Sequence, residues 1–116
     1  MREIIFYRTQ ADTCPVEEFL DALSGKQAQK VIWVLSLIEE LEIVPIEYLK
    51  KLVNTTDTWE IRVNFGKDAF RLLGFFNGEQ IILTNAFAKK TQKTPTQEIK
   101  LAERRRQDYF NTEKNK

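Results

Sequence analysis

The residues best suited to chemistry lie in one stretch, residues 85–95, which reads Asn-Ala-Phe-Ala-Lys-Lys-Thr-Gln-Lys-Thr-Pro. Its three lysines, Lys89, Lys90 and Lys93, lie within five residues and have no acidic residue among them. The stretch follows a predicted apolar strand and ends where Pro95 suits the first turn of a helix. Ammonium groups and the free amides of a helix N-terminus both attract anions. The stretch therefore predicts a phosphate-binding loop, although such a lysine run is also typical of a solvated loop without a ligand.

Two arginines belong to predicted strands near this loop. Arg62 lies in segment 59–65, where apolar and polar residues alternate as in a half-buried strand. Arg71 lies in the next segment, which is apolar on both faces and is therefore predicted to be central. A buried guanidinium without a partner is costly, so Arg71 must pair with an acid, reach an edge or face a polar cleft. If the two strands pair, the arginines and lysines converge into a phosphate clamp. The alternative is a surface ion pair for each arginine, with Glu60 and Glu79.

The composition restricts the chemistry that this clamp could perform. The chain has no histidine, and its single cysteine is Cys14. The usual metal ligands and the usual general base are therefore both missing, and we expect no metal and no cofactor. The net charge of +1 conceals an asymmetry, because residues 89–116 contain nine basic and four acidic residues. A basic C-terminal quarter favours a polyanionic partner or an acidic protein partner.

At 116 residues the chain is long enough for one domain with its own core, which we expect to span residues 1–116. No apolar run approaches the roughly 18–20 residues of a membrane span, and Met1-Arg2-Glu3 does not open a signal peptide. A single cysteine fits a reducing compartment. We therefore expect a cytoplasmic protein that does not bind a membrane, with a frayed tail at residues 111–116.

The elements that must position the candidate residues follow from the spacing of apolar side chains. We predict strands at 4–7, 48–52, 59–65, 69–76 and 80–88, and helices at 15–23, 26–43 and from 95 to about 110. Asn77-Gly78 predicts a two-residue turn, and Thr94 is the predicted N-cap of the last helix. With the strand at 48–52 weak, the order is β-α-α-β-β-β-α. This is a single α+β domain with helices packed on a mostly antiparallel sheet.

The same residues, taken in chain order, resemble a known family. Trp59-Glu60-Ile61-Arg62, then Phe70-Arg71-Leu72-Leu73, then the stretch 85–95 are similar to the HigB branch of the RelE/ParE toxin superfamily. These are phage-derived toxin-like proteins of bacterial type II toxin–antitoxin modules. The resemblance spans nearly the whole chain, including Pro15 to Leu20 and Asp108-Tyr109. It implies a RelE/ParE-like fold.

The resemblance also implies a function. Its members include metal-independent endoribonucleases that cleave mRNA, often on translating ribosomes, and a helix-turn-helix antitoxin encoded next door neutralises them. Operator DNA would be bound only through that antitoxin. In RNA cleavage of this kind the 2′-hydroxyl attacks its own phosphate, which requires a base, an acid and cations for the phosphorane.

Carried over residue by residue, the resemblance implies two sets of site residues. The catalytic set stabilises the phosphate, and its lysines transfer protons where neighbouring like charges lower a lysine pKa. It consists of Arg62, Arg71, Lys89 and Lys90. The RNA-binding set consists of Lys93, Asn85, Thr91, Arg105 and Tyr109.

One departure leaves two other functions open. Similar sequences often carry a histidine near Asn85, whereas this chain has none, and an asparagine cannot transfer a proton at neutral pH. The first alternative is a non-enzymatic inhibitor of DNA gyrase of the ParE kind, which the arginine and lysine cluster disfavours. The second is an inactive module that binds the antitoxin, which the missing histidine keeps open.

Overall fold

A five-stranded sheet with helices on both faces forms the fold, and the computed structural model describes residues 2–114. The elements are β1 (Glu3–Phe6), α1 (Pro15–Asp21), α2 (Gly25–Glu40), β2 (Leu49–Lys51), β3 (Trp59–Phe65), β4 (Asp68–Asn77), β5 (Gln80–Ala88) and α3 (Thr96–Lys114). The strand order is β1-β5-β4-β3-β2, in which β1 pairs parallel to β5 and the other pairs are antiparallel. The predicted α+β fold is confirmed, and the architecture is consistent with a RelE-like fold.

The apolar residues divide between the two faces of the sheet. One cluster, between α1, α2 and the sheet, includes Val31, Ile61 and Leu72. A smaller cluster lies under α3 and centres on Phe75 and Ile82. Because β4 contributes to both clusters, it needs apolar side chains on both faces. It lies in the middle of the strand order, as predicted.

The first helix begins at the predicted residue, Pro15, but its end and both ends of the second helix differ from the prediction. Ser24 caps α2: its hydroxyl accepts from the Gln27 N–H at 3.2 Å, and the Gln27 side chain accepts from the Ser24 N–H at 2.9 Å. The first helix, predicted to run to residue 23, has already ended at Asp21, so Ser24 and Gly25 open α2 instead of following the end of α1. At its other end α2 stops at Glu40, three residues before the predicted end. Arg2 donates there to the carbonyls of Ile38 and Leu41, which the helix leaves without intrahelical partners.

The hairpin between β4 and β5 contains a bulge that affects the candidate site. Asn77 pairs with Gln80, so the turn residues are Gly78 and Glu79, one position later than predicted. Further along, Leu73 pairs with Asn85 but Gly74 pairs with Leu83, which leaves Thr84 as an additional residue in β5. A Cβ atom at Gly74 would lie 2.3 Å from the carbonyl oxygen of Ile82, so only glycine fits there. The bulge leaves Thr84 and Asn85 buried side by side.

The last helix, α3, differs from its prediction at both ends. It begins at Thr96, so the N-cap position falls on Pro95, and the Thr94 hydroxyl donates to Glu60 instead of capping the helix. The predicted N-cap is therefore wrong. Residues 111–114, part of the predicted tail, are helical, and residues 115 and 116 lie outside the described residues. Within residues 2–114, no helix combines the length and apolarity needed to cross a bilayer.

Tyr7, buried beneath α3, provides a test of this packing. Its hydroxyl donates to the Asp108 carboxylate. Two effects raise the pKa of Tyr7 from 10.0 to about 12: burial, which is the larger, and the interaction with Asp108. An unfolded tyrosine loses its proton near pH 10. The stabilisation is therefore fully present below pH 10 and is lost as the pH rises to 12, at a cost of about 2–3 kcal/mol in the free energy of unfolding.

We expect the free energy of unfolding of the Tyr7→Phe variant, measured with urea, to lack this part of the decline between pH 10 and pH 12. Other groups titrate equally in both proteins, so the difference between the two curves isolates Tyr7. Tyr48→Phe, a substitution on the other side of the sheet, keeps Tyr7 and should therefore retain the part of the decline that Tyr7 causes. Parallel curves for wild type and Tyr7→Phe above pH 10 would show that Tyr7 is not packed as described.

Candidate phosphate-binding site

A buried carboxylate, that of Glu60, lies at the centre of the candidate site. Glu60 belongs to β3 and is only 1% exposed. Its Oε1 lies 3.2 Å from Arg62 Nε and 3.9 Å from Arg71 Nε, whereas its Oε2 accepts a hydrogen bond from the Thr94 hydroxyl. One carboxylate thus contacts both arginines and the end of the lysine-rich loop.

The strand register explains this convergence. Side chains two residues apart in a strand share a face, so Glu60 and Arg62 lie on the same side of β3. Arg62 and Arg71 are direct partners in the β3–β4 ladder, which confirms the prediction that they lie on adjacent strands. Like charges directly opposite each other destabilise a sheet. The Glu60 carboxylate beside them offsets that repulsion.

Arg71 is held more firmly than Arg62. It is 7% exposed, and its Nη1 donates to the Phe70 carbonyl at 2.9 Å and to Asn64 Oδ1 at 3.4 Å. Burial lowers the pKa of Arg71, the Glu60 carboxylate opposes that shift, and Arg62 lowers the pKa further. An arginine stays charged despite such shifts. Within residues 2–114, the buried Nε of each of these arginines makes no hydrogen bond and instead faces the Glu60 carboxylate as an ion pair.

The loop lysines lie beside the arginine pair. The backbone N–H of Lys89 donates to the Ala69 carbonyl at 2.7 Å, which fixes the start of the loop to β4. Burial lowers the pKa of Lys89, and the charges of Arg71, Arg62 and Lys50 lower it further, whereas Glu60 raises it. Lys89 is therefore within electrostatic reach of the arginines and of β2.

Two clefts border this cluster, and Lys89 lines both. The first has a volume of about 400 Å³ and is lined by Lys50, Glu60, Arg62, Lys93 and Thr94, among others. The second has a volume of about 480 Å³ and is lined by Arg71, Lys90 and Thr91, among others. Lys90, Thr91 and Lys93 are exposed. Six of the nine residues predicted for the site are thus brought together.

The other three predicted site residues lie elsewhere, and none of them lines either cleft. Asn85 is buried by the bulge, and its amide donates to Glu98 Oε1 at 2.9 Å. Arg105 donates to the Thr84 carbonyl at 2.8 Å. Tyr109 packs its ring against Phe75 and Phe110, with centroids 5.4 and 5.5 Å away. The contacts of all three hold α3 against the sheet.

The prediction from sequence did not include three residues of the site: Glu60 as a central group, Lys50 and Thr94. A signal for Lys50 exists, because it pairs directly with Glu60 across β2 and β3. That signal becomes usable only once the register of the short strand β2 is known. The sequence predicts Thr94 as a helix cap because it precedes Pro95, and nothing local in the sequence indicates a contact between Thr94 and Glu60.

The arrangement is suited to binding an anion. Lys50, Arg62, Arg71 and Lys89 surround a single carboxylate, so the cluster keeps a net positive charge, and the exposed loop lysines add to it. Guanidinium groups match the geometry of phosphate oxygens, and preorganised cations stabilise charge that develops on phosphorus. Within the described residues, no group of three or more cysteine or carboxylate side chains is placed to hold a metal ion.

Comparison with protein families gives one match. Residues 18–107 match the family model described as phage derived protein Gp49-like (DUF891). The matched range contains every residue that lines the two clefts. Comparison with curated proteins found no match.

Proposed function

The chain belongs to the Gp49-like family of phage-derived proteins, a RelE/ParE-like toxin family, and we propose that it is a HigB-like toxin that cleaves mRNA. The observation that carries this proposal is the cationic cluster: Arg62 and Arg71 face each other across two strands, and Lys89 borders both adjoining clefts. Such a cluster suits the phosphate of an RNA backbone. Cleavage of mRNA on translating ribosomes would place the protein in the cytoplasm.

In the proposed reaction the RNA 2′-hydroxyl gives its proton to a water molecule and attacks the adjacent phosphorus in line with the departing 5′-oxygen, which takes a proton from a general acid. A 2′–O–P bond forms, the P–O5′ bond breaks, and the products are a 2′,3′-cyclic phosphate and a 5′-hydroxyl. Negative charge develops on the equatorial oxygens of the phosphorane. Arg62 and Arg71 would stabilise that charge with their guanidinium donors, while Lys90, Lys93 and Thr91 would bind the RNA backbone.

Lys89 is the group that we propose to protonate the departing 5′-oxygen. An acid catalyst works best when its pKa lies close to the working pH, and the pKa of Lys89 is lowered in that direction. An acid must be protonated to act. We therefore expect the single-turnover cleavage rate on isolated ribosomes to fall as the pH rises through the lowered pKa of Lys89.

The Lys89→Arg variant tests this role of Lys89. Arginine keeps the positive charge but does not release its proton in the same range, so the alkaline decline should disappear and the rate should be lower throughout. Lys26→Arg, at the exposed start of α2, should keep the wild-type profile. A wild-type rate that rises over this range would contradict the assignment of Lys89 as the acid.

The proposal includes an antitoxin as partner. We expect a short reading frame beside the gene to encode a helix-turn-helix protein that neutralises the toxin and carries it to operator DNA. Co-expression should then abolish the growth arrest that the toxin causes alone. If neither neighbouring gene encodes such a protein, this part of the proposal fails.

Expression in a host without the antitoxin distinguishes the proposed ribonuclease from the two alternatives. Growth arrest with fragmented mRNA and intact chromosomal DNA is the expected result. DNA damage with intact mRNA would instead indicate a gyrase inhibitor of the ParE kind. Unimpaired growth at confirmed expression would indicate an inactive module that binds the antitoxin.

A further inference from the structure

The loop between β5 and α3 is fixed to the sheet at its two ends. At its start the Lys89 N–H donates to Ala69, and at its far end Thr94 donates to Glu60. The side-chain bond inside the loop, from the Thr91 hydroxyl to the Lys93 carbonyl at 2.8 Å, does not reach the sheet. The Thr94 bond is thus the last side-chain contact of the loop with the sheet before α3, which has its own contact with the sheet through Glu98.

The two oxygens of the Glu60 carboxylate have different partners. Oε1 faces the arginines Arg62 and Arg71, whereas Oε2 accepts from Thr94. We propose that Glu60 and Thr94 form a latch that fixes the lysine loop over the arginine pair, so that both act as positioning residues. This inference rests on the proposed function, because it names what aligns the catalytic groups of that site.

The electrostatics of the loop favour such a latch. Lys89, Lys90 and Lys93 lie beside two arginines, and like charges at this distance repel one another. An irregular loop also gains conformational entropy when it is released. Both effects favour displacement of the lysines from the clefts, and the Thr94 bond opposes that displacement within the loop itself. A fixed loop instead holds them in place before RNA arrives, which favours the reaction through orientation.

Thr94→Val tests the latch because valine has the shape of threonine but no hydroxyl. A small displacement of a catalytic group can cost about a hundredfold in rate, and we expect kcat to fall by roughly 10- to 100-fold. KM should change by less than about threefold, because the charges that attract RNA remain. Thr94→Ser, which keeps the hydroxyl, should restore kcat. Thr56→Val, at an exposed threonine before β3, is the matched control and should behave as wild type.

Limited trypsin digestion provides a readout that does not depend on activity. Trypsin cleaves after Lys90, and residue 94 does not belong to that cleavage site. Cleavage there should be about tenfold faster in Thr94→Val than in wild type because the loop opens more often. Thr94→Ser and Thr56→Val should be cleaved at the wild-type rate. Thermal unfolding of all four proteins checks that the fold is retained, since a merely structural role would lower the melting temperature without a selective loss of kcat.

The results separate this inference from the proposed function. If wild type cleaves RNA and Thr94→Val matches it in both kcat and trypsin resistance, the latch is overturned. If wild type does not cleave RNA, the proposed function fails, and trypsin digestion alone decides whether Thr94 holds the loop. Faster digestion of both Thr94→Val and Thr94→Ser would also overturn the latch, because the hydroxyl would then not be the group that matters.

Discussion

Replacing Arg71 with alanine is expected to reduce mRNA cleavage by about 10²- to 10³-fold, which is the usual effect of removing one preorganised donor to a developing oxyanion. Arg71 is buried and fixed by the Phe70 carbonyl and Asn64, so solvent or a neighbouring side chain cannot replace its guanidinium. Arg62→Ala should have a similar effect. Because the proposed reaction has both arginines act on one phosphate, the double variant should lose less than the product of the single losses.

The activity loss must be distinguished from unfolding. In Arg71→Ala the Glu60 carboxylate keeps Arg62 and Thr94 as partners, so we expect a folded protein by circular dichroism and a cooperative thermal transition. Arg71→Lys keeps the charge but loses the planar fork of donors, and its rate should lie between those of wild type and Arg71→Ala. Arg8→Ala, in an exposed ion pair with Asp12, is the matched control and should retain full activity. Growth arrest that survives the Arg62 and Arg71 double substitution would contradict the role of the pair.

Replacing Glu60 should have the largest effect on stability. Glu60→Ala leaves the guanidinium groups of Arg62 and Arg71 opposite each other without a counter-ion, and Arg71 is buried. Removing one partner of a buried ion pair typically costs about 3–5 kcal/mol. We expect a loss of about 3 kcal/mol in the free energy of unfolding by urea, because Arg62 retains partial contact with solvent.

Two further variants separate the charge of Glu60 from its shape. Glu60→Gln keeps an acceptor for Thr94, so the trypsin resistance of the loop should persist while stability still falls. Glu79→Ala removes an exposed carboxylate that the sequence offered as an alternative partner for Arg71, and it should change stability by less than about 0.5 kcal/mol. Equal losses for Glu79→Ala and Glu60→Ala would show that Glu60 is not the counter-ion of the arginine pair.

That the two arginines lie on adjacent strands could be predicted from the sequence, whereas their direct pairing depends on β4 beginning at Asp68, one residue before the predicted start. The alternation in β3 fixes which residues share a face, and the turn at Gly66 and Lys67 fixes the register of the hairpin. From Phe65 opposite Asp68, the register leads directly to Arg62 opposite Arg71. Gly66 has a φ of 60° in that turn, a conformation that glycine adopts more easily than other residues. A glycine between the two strand patterns therefore indicates where the hairpin turns.

The burial of Glu60 could not be predicted in this way. Alternation shows only that Glu60 lies on the face opposite Ile61, and such a face is usually solvated in an antiparallel sheet. Here the end of the lysine loop covers it, through a threonine that is 34 residues away in the sequence. A surface ion pair between Glu60 and Arg62 was therefore the natural interpretation. The pair exists, but its carboxylate is buried and also faces Arg71, whereas the Arg62 side chain keeps partial contact with solvent.

The placement of Asn85 and Arg105 depends on the β5 bulge. An extra residue in a strand changes which face the following side chains occupy, and nothing in the local sequence marks Thr84 as that residue. The Asn85 amide consequently donates to Glu98 of α3, and Arg105 donates to the Thr84 carbonyl. Their closeness in sequence to the basic loop and helix therefore did not indicate a position in the clefts.

The most direct test of the proposed ribonuclease is 5′-end mapping of a reporter mRNA in a translation extract, with and without the protein. We expect new 5′ ends at fixed positions within codons, absent from the same RNA when translation is blocked and absent when Arg71→Ala replaces wild type. Unbroken mRNA with normal protein output at confirmed protein concentration would contradict the proposed function. It would leave the gyrase inhibitor or the inactive antitoxin-binding module as the function of this cationic site.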